Sequence, residues 1–235
     1  MKPLIKLIAL FAFVATLSSH AAATNDGVAL AIVFDNSGSM SHPVRSSQGK
    51  SEPKHVIAAR ALGQVVERLA QFQDPPHVAR LRLETALIVF EQDKAKNALP
   101  LGAFHPKVYR EWLKRPAPPR EATPLGAAVA LASRQVLESP LPRKHVIVIT
   151  DGENTQGAPP EATLPPQLRR AQQKNTSLFI HFIAFDIDSN VFAKVKALGA
   201  TVVGAADEKE LNGQLEFILE EKILLEAEPQ KPTSK

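Results

Sequence analysis

A chain of 235 residues, 44% hydrophobic and 22% charged, is long enough for one domain with a substantial core, and its composition excludes global disorder. It has no cysteine, which excludes disulfides and a lipid anchor on a cysteine. The formal charge of +4 falls to +2 without residues 1–23, which hold Lys2 and Lys6 and no acid, leaving 26 basic against 24 acidic residues. The basic pI is therefore no sign of a nucleic-acid partner, and none is expected.

Residues 1–23 read as a secretory signal: Lys2 and Lys6, a short apolar run over 7–17, then small residues with a predicted cut before Thr24. The run is short of the roughly 20 residues a membrane helix needs. The competing reading is an uncleaved anchor, and no other segment can cross a bilayer. The expected product is exported, periplasmic or secreted, with no stable membrane span after cleavage. A single domain is expected over residues 24–225, followed by a disordered polar tail over 226–235.

"VALAIVF", residues 28–34, is a strand apolar on both faces, as parallel sheets require. Residues 41–53 are polar and read as a loop. Leu62, Val65, Val66, Leu69 and Phe72 then form one helical stripe, stopped by the "DPP" of 74–76. Gly63 is expected to let that helix approach the sheet closely. Residues 81–90 form a strand, with 98–101 as a short returning partner. Residues 107–113 form a short helix. A longer one over 124–137 has Pro124 at its first position.

"HVIVIT", 145–150, is a second buried strand, closed by Asp151-Gly152. The proline-rich 158–166 leads into a polar helix over 167–174. "SLFIHFIAF", 177–185, is a third buried strand, with His181 read as a core histidine. A short helix over 190–198, a strand at "ATVVGA" and a helix over 209–225 complete the pattern. Alternating strands and helices predict an α/β fold, a doubly wound, mostly parallel sheet with helices on both faces. One antiparallel edge strand is compatible with it.

In such sheets ligands bind outside the carboxyl ends of the strands. Asp35 and Asp151 both end strands, and Ser37, Ser39 and Thr123 add hydroxyls. Two carboxylates meeting there need something to compensate them: a proton, a basic side chain or a cation. With oxygen donors only, a hard dication suits them: Mg²⁺ first, then Mn²⁺ or Ca²⁺.

"DNSGSM" at 35–40, "ATPLG" at 122–126 and "TDG" at 150–152 resemble, in order and context, the signature segments of von Willebrand factor type A domains. The resemblance spans residues 24–225. It implies that family's fold and its metal ion-dependent adhesion site. In that site Ser37 and Ser39 bind the metal directly, and Thr123 does so directly or through water. Asp35 and Asp151 act mainly through water, or directly in some states. The resemblance also implies a protein partner presenting an acidic side chain to an open coordination position. Two departures stand out: the length of 41–53, which could add His42, and Glu121-Ala122 where the family commonly has glycines.

Each motif has a plainer reading. Asp35-Ser37-Ser39 can be a turn and Asp151-Gly152 another. Thr123 can be an N-cap. Glu153 and Asn154 belong either to the rim of the site or to a solvated turn. Asp186 and Asp188 read as strand-end caps, and His42 and His55 as surface residues. The expected function is a non-catalytic, metal-dependent protein-binding module. The alternatives are a metal-dependent phosphate-ester hydrolase, with Glu153 as its only candidate base, and a structural subunit with a closed metal shell. The oligomeric state is open.

Overall fold

The computed structural model describes residues 27–73, 82–91, 93–116, 118–119 and 122–224. The signal segment, the helix stop at 74–76, Glu121 and the tail lie outside these residues. Strand β1 (Gly27–Phe34) is buried along its whole length. Its alternate residues serve two cores. Val28, Leu30, Ile32 and Phe34 face one, while Ala29, Ala31 and Val33 face the other. A strand covered on both faces has no use for polar alternation, which is why its sequence is a continuous apolar run.

The chain continues through a hairpin, β2 (Pro43–Arg45) and β3 (Ser51–Pro53), into α1 (Lys54–Gln73). Next come β4 (Arg82–Glu91), β5 (Lys94–Ala103), α2 (Pro106–Leu113) and α3 (Leu125–Glu138). Then follow β6 (Arg143–Thr150), α4 (Pro160–Gln173), β7 (Leu178–Phe185), α5 (Ala193–Ala197), β8 (Thr201–Ala205) and α6 (Glu208–Phe217). A π-helical segment, Ile218–Leu224, extends α6.

Six strands form one sheet in the order β5-β4-β1-β6-β7-β8. All neighbours are parallel except β5, which returns antiparallel beside β4 at the edge. The doubly wound α/β expectation therefore holds, including the edge strand. From β1 the chain first steps to β4 on one side and later to β6 on the other. Right-handed crossovers then send α1 and α3 to opposite faces. Ile57, Leu62, Val65 and Leu69 of α1 join Leu211 and Leu215 of α6 on the β1 Val28–Phe34 face. Leu125, Ala128, Val129, Ala132 and Val136 of α3 cover the face of Ala29 and Ala31. The reversal of direction falls between β1 and β6, the topological switch point at which such sheets place ligands.

Four local expectations need correction. Residues 41–53 are a short antiparallel hairpin and not a loop, with Pro43 opposite Pro53 and Gly49 in the left-handed turn at φ 76°. The prolines of 158–166 lie largely within α4, which starts at Pro160 and contains Pro165 and Pro166. A Cβ on Gly63 would meet only Leu113 of α2, at 3.7 Å, so this glycine is not what lets α1 approach the sheet. Pro124 takes the N-cap place of α3, one residue before its first turn.

His181 is buried as expected, and its ring stacks on that of His145, with His145 Nδ1 and His181 Nε2 3.3 Å apart. Among the described residues, no helix is long and apolar enough to cross a membrane.

Candidate functional site

β1 and β6 pair in register up to Phe34 opposite Ile149, and Asp35 N donates to Ile149 O at 3.0 Å. The chain therefore leaves both strands at the same level. Asp35 follows one and Asp151 the other, side by side at the switch point.

Asp35 is fully buried. Its Oδ1 accepts the Ser37 N–H at 2.7 Å, which folds the chain back just after the strand. Its Oδ2 accepts the Thr150 hydroxyl at 2.5 Å. Burial pushes its carboxyl up to about 6 against these hydrogen bonds, and the neighbouring Asp151 charge adds to the rise. The turn then brings the two serines forward. Ser37 Oγ and Ser39 Oγ lie 3.0 Å apart, and Ser39 Oγ donates to Asp151 Oδ1 at 2.7 Å. Four of the five predicted residues are thus joined in one hydrogen-bonded chain.

Thr123 joins through its backbone only. Its N–H donates to Thr155 Oγ1 at 2.9 Å, and its carbonyl accepts from Thr155 N at 3.0 Å. This ties the segment before α3 to the loop after Asp151. Capping does not account for Thr123, because Pro124 holds the N-cap place and makes no side-chain cap. The Gly126 N–H in that first turn is met instead by Asn154 Oδ1 at 3.0 Å, and Asn154 Nδ2 donates to Gly157 O at 2.9 Å. Asn154 therefore braces the rim, while Glu153 is exposed.

Sequence reasoning missed three residues that complete the site. Asn36 is buried and works as a strut. Its Nδ2 donates to Phe90 O and Pro118 O, both at 3.0 Å, and its Oδ1 accepts Phe90 N at 2.7 Å. Lys54, the first residue of α1, extends its ammonium to Asp151 Oδ2 at 3.0 Å and to Asp186 Oδ2 at 2.9 Å. Burial, the largest single influence on this ammonium, opposes its charge. The two carboxylates together overcome that and raise its pKa. Neither Asp186 nor Asp188 is a simple strand cap: Asp186 pairs with Lys54, and Asp188 N-caps the 3-10 turn Ser189–Phe192, accepting Asn190 N at 2.9 Å. Nothing in the sequence signals these reaches, which depend on side chains meeting across α1, β6 and β7.

The hairpin is fastened beside the site. Buried Glu208, at the start of α6, accepts Ser47 N at 2.5 Å and Arg60 Nε at 2.5 Å, and Arg60 also meets Glu52 at 2.8 Å. His42 is exposed and contributes backbone groups, donating to Ser39 O and accepting from Lys54 N. His55 Nδ1 lies 3.1 Å from Met40 O.

The donor set fits a small hard cation. Mg²⁺ holds oxygens at 2.0–2.1 Å in an octahedron, which sets neighbouring ligand oxygens about 2.9 Å apart. The serine oxygens, 3.0 Å apart, and Ser39 Oγ and Asp151 Oδ1, 2.7 Å apart, are at ordinary hydrogen-bond distances, which such an octahedron could take over without drawing the oxygens apart. Among the described residues no group of three or more His, Asp or Glu forms a ligand cage. The site therefore depends on hydroxyls beside two carboxylates. Its charges also balance: Asp35, Asp151 and Asp186 against Lys54 leave two negative charges for a dication.

The model of the von Willebrand factor type A domain matches residues 29–214. No curated protein sequence matches the chain. Among solved structures, the PilB minor pilin from Streptococcus sanguinis superposes with a TM-score of 0.59 at 14% identity, over 83% of this chain and 61% of the pilin. This chain therefore spans less than two thirds of that neighbour. The vWF domain of the type V pili tip protein Mfa5 from Porphyromonas gingivalis gives 0.56 at 12% identity, over 83% and 95%. A von Willebrand factor type A protein from Catenulispora acidiphila gives 0.55 at 18%, over 82% and 42%.

Proposed function

The chain belongs to the von Willebrand factor type A domain family, and we propose that it is a non-catalytic, divalent-metal-dependent protein-binding module acting outside the cytoplasm. The observation that carries this reading is the convergence of Ser37, Ser39 and Asp151 oxygens, from segments far apart in the chain, into one hydrogen-bonded set at the sheet's switch point. In it, Ser37 and Ser39 hold the cation through their hydroxyls, and Asp151 Oδ1 faces the same place. Asp35 acts behind them, with each of its oxygens already accepting a hydrogen bond, and so orients the Ser37 turn. Thr123 stands on the loop tied to the Asp151 segment. When bound, the metal supplies an open position for an oxygen of a partner's acidic side chain. The hairpin of β2 and β3 adjoins the site through His42, whose backbone bonds Ser39 and Lys54.

Export is supported by the signal-like first 23 residues and by a fold shared with a minor pilin and a pilus tip protein. The hydrolase alternative is not favoured: Glu153, its only candidate base, points into solvent at the rim.

The test is affinity capture from envelope extract on the immobilised protein, with Mg²⁺ and with EDTA, using Asp35→Ala as the control. Capture that needs Mg²⁺ and is lost in the variant supports the module. Equal capture in EDTA rules the metal-dependent mode out.

A further inference from the structure

The cation that this site already contains is its own Lys54. The residue opens α1, whose first turn carries no acidic side chain, so its ammonium stands at the positive end of the helix dipole. Lysine is seldom buried without a partner, yet this side chain is only 8% exposed. Helix propensity does not account for the placement. The two carboxylates do, because they come from the ends of β6 and β7 and converge on one nitrogen.

The backbone of Asp186 is held in place for this contact, while its side chain is 41% exposed. Its backbone is left-handed at φ 54°, and its N–H donates to Ala205 O at 2.7 Å. Lys54 is held from the other side by its N–H, which donates to His42 O at 3.0 Å at the base of the hairpin. With Lys54 on Oδ2, Asp151 turns its other oxygen to Ser39.

We propose that Lys54 lowers the cation affinity of the site by cancelling one of three local negative charges, an effect that outweighs its help in holding Asp151 with one oxygen toward the serines. The inference rests on the metal-site reading above. It makes two predictions of opposite sign. Lys54→Met leaves Asp35, Asp151 and Asp186 uncompensated and should tighten divalent-cation binding. Asp186→Asn keeps a residue that tolerates the left-handed backbone but leaves one negative charge instead of two, and should loosen it. If Lys54 only braced the fold, both variants would disturb the site and shift affinity in the same direction.

The experiment is calorimetric titration of the folded full chain with Mn²⁺, with circular dichroism to verify each variant. The expected result is binding at least about tenfold tighter in Lys54→Met and several-fold weaker in Asp186→Asn. Mn²⁺ should also raise the melting temperature more in Lys54→Met than in the unaltered protein. If the unaltered chain binds Mn²⁺ and folded Lys54→Met binds no tighter, the Lys54 inference falls while the metal site stands. If only Lys54→Met binds, Lys54 is confirmed as a competitor for the cation and the metal-dependent function falls. No heat from any variant overturns both. Should Lys54→Met not fold, Asp186→Asn decides alone, and unchanged or tighter binding there overturns the inference.

Discussion

Replacing Asp35 with Asn should stabilise the metal-free protein while weakening its hold on a metal ion. Asp35 is fully buried, and burial lifts its carboxyl from 3.8 to about 6. The folded state thus holds this proton more tightly than the unfolded chain does. Between pH 3.8 and 6 rising pH removes that advantage. Above 6, the whole gap, about 3 kcal/mol, weighs against the metal-free fold.

An asparagine carries no charge and fits the same contacts. Its Oδ1 can accept Ser37 N, and its amide can donate to Thr150 Oγ1, whose own proton turns to Gly152 O, now 3.1 Å away. Asp35→Asn should therefore gain up to about 3 kcal/mol at pH 7.5 in EDTA, a rise in Tm of about 6–12 °C. The gain should vanish below pH 3.8, where Asp35 is protonated in both states.

Buried His145 and His181 complicate absolute curves. Burial first, then neighbouring positive groups, holds their pKa values down to about 3 and about 4. The unfolded chain takes up protons below about pH 6.5 that these rings refuse, so overall stability falls toward acid. Both proteins share that loss, and their difference isolates Asp35. Thermal unfolding of the pair at pH 7.5 and pH 3.5 is the assay. A variant no more stable than the parent at pH 7.5, or a gain undiminished at pH 3.5, would refute the reasoning. Adding Mn²⁺ should raise the Tm of the parent more than that of the variant.

Two structural predictions accompany it. Asn36→Asp keeps the acceptor for Phe90 N but turns an anionic oxygen toward the Phe90 and Pro118 carbonyls. It should cost about 3 kcal/mol in urea unfolding, and a loss below about 1 kcal/mol would deny the strut. Gly126→Ala would put a Cβ 2.0 Å from Ala158 O, forcing apart the loops that frame Thr123 and Asn154. It should cost about 2–3 kcal/mol by thermal melt, and a neutral outcome would mean those loops yield freely.

How much of this could be read from the chain depended on the range of the interaction. β1, β6 and β7 are legible because strands covered on both faces need continuous apolar runs. The edge strand β5 was legible only in part: residues 98–101 anticipate a strand that runs Lys94–Ala103, half exposed, with Lys94, Lys96 and Asn97 breaking up its first half. The hairpin was not legible, because polar residues and prolines conceal its pairing and distant Glu208 fastens it. The two prolines inside α4 hid its first half for a related reason: a local breaker signal was outweighed by Leu164 and Ala171 packing inward.

The site divides in the same way. Asp35, Ser37, Ser39 and Asp151 follow strand ends directly, so motif and fold class suffice to bring them together. Asn36, Lys54 and Asp186 matter only through where their side chains reach, and a lysine opening an amphipathic helix looks like any solvated charge.

The central claim is that Ser37, Ser39 and Asp151 hold a dication with room for a visiting carboxylate. Crystals of the protein grown with Mn²⁺ and measured near the manganese absorption edge test it most directly. The account predicts an anomalous peak within about 2.2 Å of both serine hydroxyl oxygens, with at least one coordination position filled by water or by an acidic side chain of a neighbouring molecule. No peak at the carboxyl end of β1 and β6, or a metal enclosed entirely by this chain's own atoms, would contradict it.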